Sequence, residues 1–163
     1  MSYNETIEKQ YVRNITQQGK VEWVGIRLKR LLKVHFINKV TANPDIGMEG
    51  DYFKKSSNGK RQVTLIQQEH LDGVARTLGK SEIPSELLRR NIVVAGINLL
   101  ALKHQRFQVG EVLLETTGIC GPSSRMEENL GAGGYNSMRG HGGITAKIIE
   151  GKQIKIGDVV KLA

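Results

Sequence analysis

The most distinctive segment of the chain is residues 116–143, TTGICGPSSRMEENLGAGGYNSMRGHGG, in which a glycine-rich loop precedes a helix signal. The loop holds Cys120, the only cysteine of the chain. Ser124 stands three residues before Glu127, which is the spacing of a capping box and predicts that a helix begins here. A thiol just upstream of a helix N-terminus and close to Arg125 lies in positive potential. That potential favours the thiolate, the form that attacks electrophiles and binds soft metals.

Two interpretations of Cys120 stay open at this point. A lone cysteine in a protein is most often a small buried residue that packs like a hydrophobic one. Gly118 and Gly121 flank it, however, and glycine-rich loops usually run over the surface. The first interpretation makes the residue structural, and the second makes it a candidate nucleophile or metal ligand.

Length and composition indicate one globular domain. The chain has 163 residues, 39% hydrophobic and 25% charged, which is enough to bury a core. No apolar run approaches the roughly 18 residues that span a bilayer, and MSYNETIEKQ at the N-terminus lacks the apolar segment of a secretory signal. A single cysteine excludes an intrachain disulfide and a four-cysteine zinc site. We therefore expect a cytoplasmic protein with no membrane partner.

The chain is basic, with a net charge of +8 and a pI near 9.7. Such a charge attracts phosphate-bearing ligands and acidic surfaces. Aromatic residues make up only 5% and do not alternate with charges, which argues against nucleic acid as a partner because no stacking platform is indicated. The densest basic group, residues 27–33, lacks the spacing of an amphipathic helix, so a membrane-surface role ranks last.

Short alternating segments bounded by turn residues predict a mainly β fold, with an arm over residues 1–18 and a domain over residues 19–163. The period changes to that of a helix at Leu71–Leu78, closed by Gly79, and Pro84 opens a second short helix. Residues 41–60 read as a long loop. Irregular strand–helix order argues against a doubly wound sheet and favours a β-barrel. Strands are predicted over 21–26, 32–40, 61–67, 91–95, 107–111, 112–116, 144–149, 154–158 and 159–162.

Named catalytic motifs are absent. The sequence has no GxxxxGK[ST], GxGxxG, HExxH or CxxC, and its four histidines are scattered. Their spacing therefore predicts no metal site.

Four blocks of sequence resemble the MOSC domain, the C-terminal module of molybdenum cofactor sulfurase, which is also found as free-standing bacterial proteins. The blocks are GMEGD at 47–51, KRQVTLIQ at 60–67, RRNIVVAGINLLAL at 89–102 and TGICGPSSRMEENLGAGGYNSMRGHGGITAKIIEG at 117–151. They occur in the order of the family, and the resemblance runs from about Val21 to Leu162. It implies a β-barrel-rich MOSC fold with a few short helices between the strands.

The resemblance also implies a function linked to the molybdenum cofactor (molybdopterin). The protein would carry sulfur to that cofactor, or use it to reduce N-hydroxylated compounds with a redox partner protein. Cys120 is then the catalytic residue and the molybdenum ligand, since a thiolate is soft enough for both tasks. The polar family blocks would bind the cofactor through Asp51, Arg61, Gln62, Arg90, Asn91, Ser123 and Arg125. Each of these seven can instead have a local role in a turn, a cap or the sheet.

One position departs from the family. Close relatives read TGxCxPCSRME, with two cysteines, whereas this chain has Ser123 at the second. A serine hydroxyl cannot form a persulfide, so either Cys120 takes the role or the sulfur chemistry is lost. In the second case the protein is a non-catalytic basic module that binds a phosphorylated metabolite or nucleic acid. Pyridoxal phosphate belongs to the family only by association, and no lysine here has a recognisable Schiff-base setting.

Overall fold

Seven strands of the chain close into a barrel. The structure is a computed structural model that describes residues 9–30, 33–52 and 59–163. Within those ranges, no helix combines the length and the apolar character that crossing a bilayer requires. The strands are β1 (Gly19–Ile26), β2 (His35–Phe36), β3 (Lys39–Asn43), β4 (Gly47–Met48), β5 (Val63–Gln67), β6 (Ile92–Ala95), β7 (Arg106–Val109), β8 (Val112–Ile119), β9 (Ile144–Glu150), β10 (Gln153–Lys155) and β11 (Val159–Leu162).

The barrel follows the order β1-β6-β5-β9-β8-β7-β11, and β11 pairs back onto β1 at Gly19 and Val160. Strand β2 extends β1 on the outside, and β10, β3 and β4 form a separate small sheet. The β5–β6 pair is parallel, with Leu65 opposite Ile92, and the chain between these strands forms helix α1 (Gln68–Thr77) and a 3₁₀ helix at Ser85–Leu88. The structure confirms the predicted mainly β fold and the barrel.

Strand β5 is buried on both faces, which places the helices against the barrel wall. Leu65 points into the barrel core, and the next residue, Ile66, packs outward into a second apolar cluster, as the alternation of side chains along a strand requires. That outer cluster joins β5 to α1, to the 3₁₀ helix and to α2 (Ser124–Leu130). Burying one large apolar side chain contributes about 1.5–3 kcal/mol, so the cluster holds α2 firmly on the wall. Its buried members are Ile66, Leu71, Val74, Ala75, Ile83, Leu88, Val93, Met126, Leu130 and Met138.

Most predicted elements are confirmed, and two differ. The strand predicted over 32–40 is divided into β2 and β3 by an intervening pair of residues, and position 32 itself lies outside the described residues. The long loop predicted over 41–60 contains the end of β3 and all of β4, with residues 53–58 outside the described part. Periodicity does not detect two-residue strands such as β4, because alternation needs several residues to become visible.

The predicted capping box was wrong. Ser123 is the N-cap of α2 and its side chain makes no capping bond, while Ser124 is already the first helical residue. The Glu127 carboxylate reaches forward instead and accepts the backbone N–H groups of Gly133 and Tyr135, each at 2.8 Å. These amides lie at the start of α3 (Gly134–Met138), so Glu127 caps the next helix rather than its own.

Glu127→Gln is expected to lower the melting temperature at pH 7. Hydrogen bonds from the Tyr135 and Gly133 amides lower the pKa of Glu127 below its usual value. A lowered folded-state pKa stabilises the protein above the unfolded-state pKa, and this stabilisation is lost as the pH falls through the folded-state value. The difference in melting temperature between wild type and variant should therefore shrink below about pH 4. Thermal denaturation from pH 7 to 3 measures it, with the exposed neighbour Glu128→Gln as control. An unchanged difference at low pH would contradict this assignment.

Candidate functional site

Segments that are distant in sequence meet around Cys120. The residue follows β8, and its backbone N–H donates to the carbonyl of Gly143 at 2.8 Å, just before β9. A Cβ atom on Gly142 would lie 1.9 Å from the Cys120 carbonyl oxygen. Residue 142 therefore has to be glycine for the two loops to lie against each other.

The Cys120 residue is buried beside a cation. Only 6% of it is exposed, although it belongs to neither of the two apolar clusters of the described residues. The guanidinium of Arg90 lies within electrostatic range of the thiol. The thiol is therefore shielded from solvent, as expected of a structural cysteine. It is also close to a cation, as expected of a nucleophile or metal ligand.

Arg90 is buried and donates hydrogen bonds to the 3₁₀ helix just before it and to two loops. Its Nε donates to Gly142 O at 2.9 Å, Nη1 to Leu88 O at 2.9 Å and Nη2 to Gly121 O at 3.5 Å. Burial lowers the pKa of Arg90, the nearby Cys120 acts in the opposite sense, and the charges of Arg27 and Arg61 lower it further.

Arg27 and Asp51 form a partly buried ion pair. The Asp51 side chain is 1% exposed, its Oδ1 accepts the Arg27 backbone N–H at 2.7 Å, and its Oδ2 lies 3.6 Å from Arg27 Nη2. Nη2 also approaches the Tyr52 carbonyl at 3.5 Å. Within residues 9–30, 33–52 and 59–163, the buried Nε atom of Arg27 has no hydrogen-bond partner. Buried donors are almost always paired in native proteins, so this N–H is available for a ligand.

Arg89 adds another cation beside this pair. Its backbone has φ of 58°, a left-handed conformation that costs a non-glycine residue energy and that clusters at functional sites. Burial and the charges of Arg27, Arg125 and Arg90 lower the pKa of Arg89, and the Asp51 carboxylate opposes that effect. Arginines of three chain segments, Arg27, Arg89–Arg90 and Arg125, therefore lie within electrostatic range of one another. A bound anion would relieve the repulsion between these like charges.

Two of the predicted cofactor residues have their amides engaged inside the barrel wall. Gln62 donates to Pro44 O and accepts from Ile148 N, both at 2.7 Å. Asn91 accepts from Thr64 N at 3.0 Å and donates to Gly25 O at 3.2 Å, which joins β5 to β1. Their assignment to a cofactor stays a prediction, and these bonds give both side chains a structural role.

The other predicted residues lie at the barrel surface or on α2. Arg61 is exposed and acts electrostatically on Arg90, and Arg125 is half-buried on the first turn of α2. Ser123 is exposed at the N-cap of that helix. The described residues hold no group of three or more His, Cys, Asp or Glu side chains that could bind a metal ion, and the role of Cys120 as a metal ligand stays a prediction.

Arg27 and Arg89 did not emerge as site residues from the sequence. Arg27 was noted only as part of the basic group at residues 27–33. Arg89 was noted only as the neighbour of the predicted Arg90. Their importance comes from tertiary contacts and from a left-handed backbone, neither of which leaves a pattern in the sequence.

A separate cavity of about 630 Å³ lies between residues 11–17 and residues 96–104. None of the predicted site residues lines it. The Glu69 and Asn98 side chains in its wall already accept backbone N–H groups, from Gly96 and Leu100 respectively.

Comparisons with known proteins agree with this architecture. A family model described as MOSC domain matches residues 32–161. No curated protein matches the sequence at a significant level. Among solved structures, the chain is similar to the YuaD protein from Bacillus subtilis, with 17% identity, a TM-score of 0.77, and coverage of 91% of this chain and 97% of that one.

Two further solved structures are YiiM proteins. YiiM from Escherichia coli is 14% identical, with a TM-score of 0.67 and coverage of 88% of this chain and 69% of that one. YiiM from Geobacillus stearothermophilus is 10% identical, with a TM-score of 0.69 and coverage of 89% and 75%. At these identities the likeness establishes the fold alone.

Proposed function

This chain belongs to the MOSC domain family, and from that premise we propose that its arginine-rich site binds the molybdenum cofactor. The phosphate group of the cofactor would be held by Arg27, Arg89 and Arg125, and the Cys120 sulfur would meet the metal. The family is associated with this cofactor. The arginines of the site suit the phosphate of the cofactor, and the thiol suits its metal. The protein would then act as a molybdenum-dependent reductase or as a sulfur carrier.

The observation that carries the proposal is a buried donor inside a cluster of cations. Within the described residues, the Nε of Arg27 has no hydrogen-bond partner, and Arg89 lies within electrostatic range of Arg27, Arg125 and Arg90. A phosphate monoester brings negative charge to such a cluster and accepts several directed N–H bonds, which is the recognition that arginine favours.

The residues present fit the two chemical demands of such a cofactor. Charge-assisted hydrogen bonds from the arginines suit a phosphate, and a thiolate is the soft donor that suits molybdenum. Once bound, the cofactor would supply a redox-active metal, a chemistry that amino-acid side chains lack.

The residues of this chain would bind the cofactor and keep it oriented. Asp51 fixes the Arg27 backbone and side chain, so that its Nε–H stays directed at the anion site. Burial of Cys120 keeps solvent away from the sulfur. A reductase of this kind would take electrons from a partner protein, whereas a sulfur carrier would not need that supply.

Reconstitution with the cofactor released from a molybdenum enzyme tests the proposal. We expect wild-type protein to retain molybdenum and pterin in equal amounts after gel filtration, measured by elemental analysis and pterin fluorescence. Arg27→Met should lose both signals, because the phosphate is no longer held. Cys120→Ala should retain less molybdenum and less pterin than wild type, in equal proportion, because the pterin carries the metal and the cofactor loses one contact to the protein. Arg106→Met changes an exposed arginine that is paired with Glu115 and should behave as wild type.

The second candidate function is a non-catalytic module for a phosphorylated metabolite or nucleic acid, favoured by Ser123 at the position of the second family cysteine. It uses the same arginines and makes no use of the thiol. Salt-sensitive binding of a phosphorylated metabolite or nucleic acid that Cys120→Ala leaves unchanged would support this module. Absence of pterin from wild-type protein would refute the cofactor proposal.

A further inference from the structure

We infer that Arg90 is a positioning residue for Cys120 and does not bind the anion. This inference rests on the proposed function, because it divides the arginines of that site into two roles. Arg27, Arg89 and Arg125 bind the phosphate, and Arg90 holds the sulfur-bearing loop in place.

The hydrogen bonds of Arg90 carry the first half of the inference. All three nitrogens of its guanidinium are directed at backbone carbonyls, and these belong to three separate segments: Leu88 in the 3₁₀ helix, Gly121 after the cysteine, and Gly142 before β9. Only 7% of the residue is exposed. No ligand in solvent can displace three carbonyls without opening the loop.

Contrast with Arg27 carries the second half. The two arginines share one electrostatic environment, since each lies within range of the other. Arg27 retains a buried Nε–H without a partner, and its side chain is 25% exposed. The anion therefore has an available donor at Arg27, whereas each guanidinium nitrogen of Arg90 already donates to a backbone carbonyl.

The Cys120 loop depends on this arrangement for its position. Gly121 follows the cysteine directly and accepts from Arg90, while Gly143 accepts the cysteine amide and adjoins Gly142, the other Arg90 acceptor. The guanidinium thus joins both sides of the loop. A lysine would keep the positive charge but lacks the planar fork of donors that reaches three carbonyls.

Matched lysine substitutions at positions 90 and 89 test the division of roles. Inorganic phosphate serves as the anion probe, measured by calorimetry, and iodoacetamide measures access to Cys120. We expect R90K to raise the alkylation rate at least about tenfold, because local opening exposes the thiol, and to change phosphate affinity less than about twofold. R89K should weaken phosphate binding about tenfold and leave the alkylation rate within about twofold of wild type.

A merely structural role of Arg90 would lower the melting temperature of R90K without changing alkylation of the protein that stays folded. Loss of phosphate affinity in R90K with unchanged alkylation would make Arg90 an anion ligand and overturn the inference. Neither phosphate affinity nor alkylation of Cys120 requires the cofactor. The inference about Arg90 can therefore fail while the cofactor still binds, and it can hold even if the cofactor does not bind.

Wild-type protein gives a second measurement if R90K fails to fold. In a phosphate titration followed by NMR of the arginine Nε–H groups, the Arg90 resonance should exchange slowly with solvent and keep its chemical shift. Resonances of Arg27 and Arg89 should move. Movement of the Arg90 resonance together with theirs would contradict its assignment as a positioning residue.

Discussion

Gly143→Ala is expected to lower the free energy of unfolding by more than about 4 kcal/mol, whereas Gly140→Ala should cost only about 1–2 kcal/mol. Both glycines have positive φ, 84° and 79°, so alanine is strained at either position. A Cβ on Gly143 would lie 1.9 Å from the Leu65 carbonyl oxygen, whereas a Cβ on Gly140 meets no atom within 4 Å. The difference between the variants isolates the cost of the close contact.

Leu65 cannot move aside at low cost, because it lies in β5 between β6 and β9 in the barrel wall. A typical domain has about 5–15 kcal/mol of stability, so the loss at position 143 removes a large part of it. Urea denaturation followed by circular dichroism measures both variants. Equal losses would show that the backbone conformation, and not the close approach to β5, makes glycine necessary here. The Gly143 carbonyl also accepts the Cys120 amide, so any partly folded variant should show a more accessible thiol.

Periodicity predicted the elements whose burial is regular. Leu71, Val74 and Ala75 recur at helical spacing and are the buried face of α1, and Gly79, with φ of 67°, ends that helix as predicted. Strand β5 lies within the strand predicted over 61–67, and both of its faces are covered. These elements are predictable because the spacing of their apolar side chains is visible over a few consecutive residues.

Contacts between distant segments were not predictable in the same way. Glu127 has the spacing of a capping box, yet the close packing of α2 on α3 offers its carboxylate two other amides. The resemblance to a family directed attention to Cys120 and Arg90. It did not show that every guanidinium nitrogen of Arg90 would donate to a carbonyl, while the Nε of Arg27 has no partner among the described residues. These distinctions depend on which backbone groups meet in space.

Arg89→Gly is expected to stabilise the protein and to weaken anion binding at the same time. Arginine is strained in a left-handed backbone with φ of 58°, a conformation that glycine adopts freely. Relief of this strain should raise the free energy of unfolding by about 1 kcal/mol. The substitution also removes a cation from a cluster in which burial and the charges of Arg27, Arg125 and Arg90 lower the pKa of Arg89. Loss of a charge-assisted donor should reduce phosphate affinity at least about tenfold.

His104→Gly is the matched control for that prediction. With φ of 62°, His104 is the other non-glycine residue of the described chain that has a positive φ, and it is exposed and takes no part in the arginine cluster. It should gain similar stability in urea denaturation and keep wild-type phosphate affinity. Unchanged phosphate binding by Arg89→Gly would remove Arg89 from the anion site, and a loss of stability would show that its contacts outweigh the strain. The expected pair of results would mean that position 89 retains arginine for its charge, because its backbone conformation alone favours glycine.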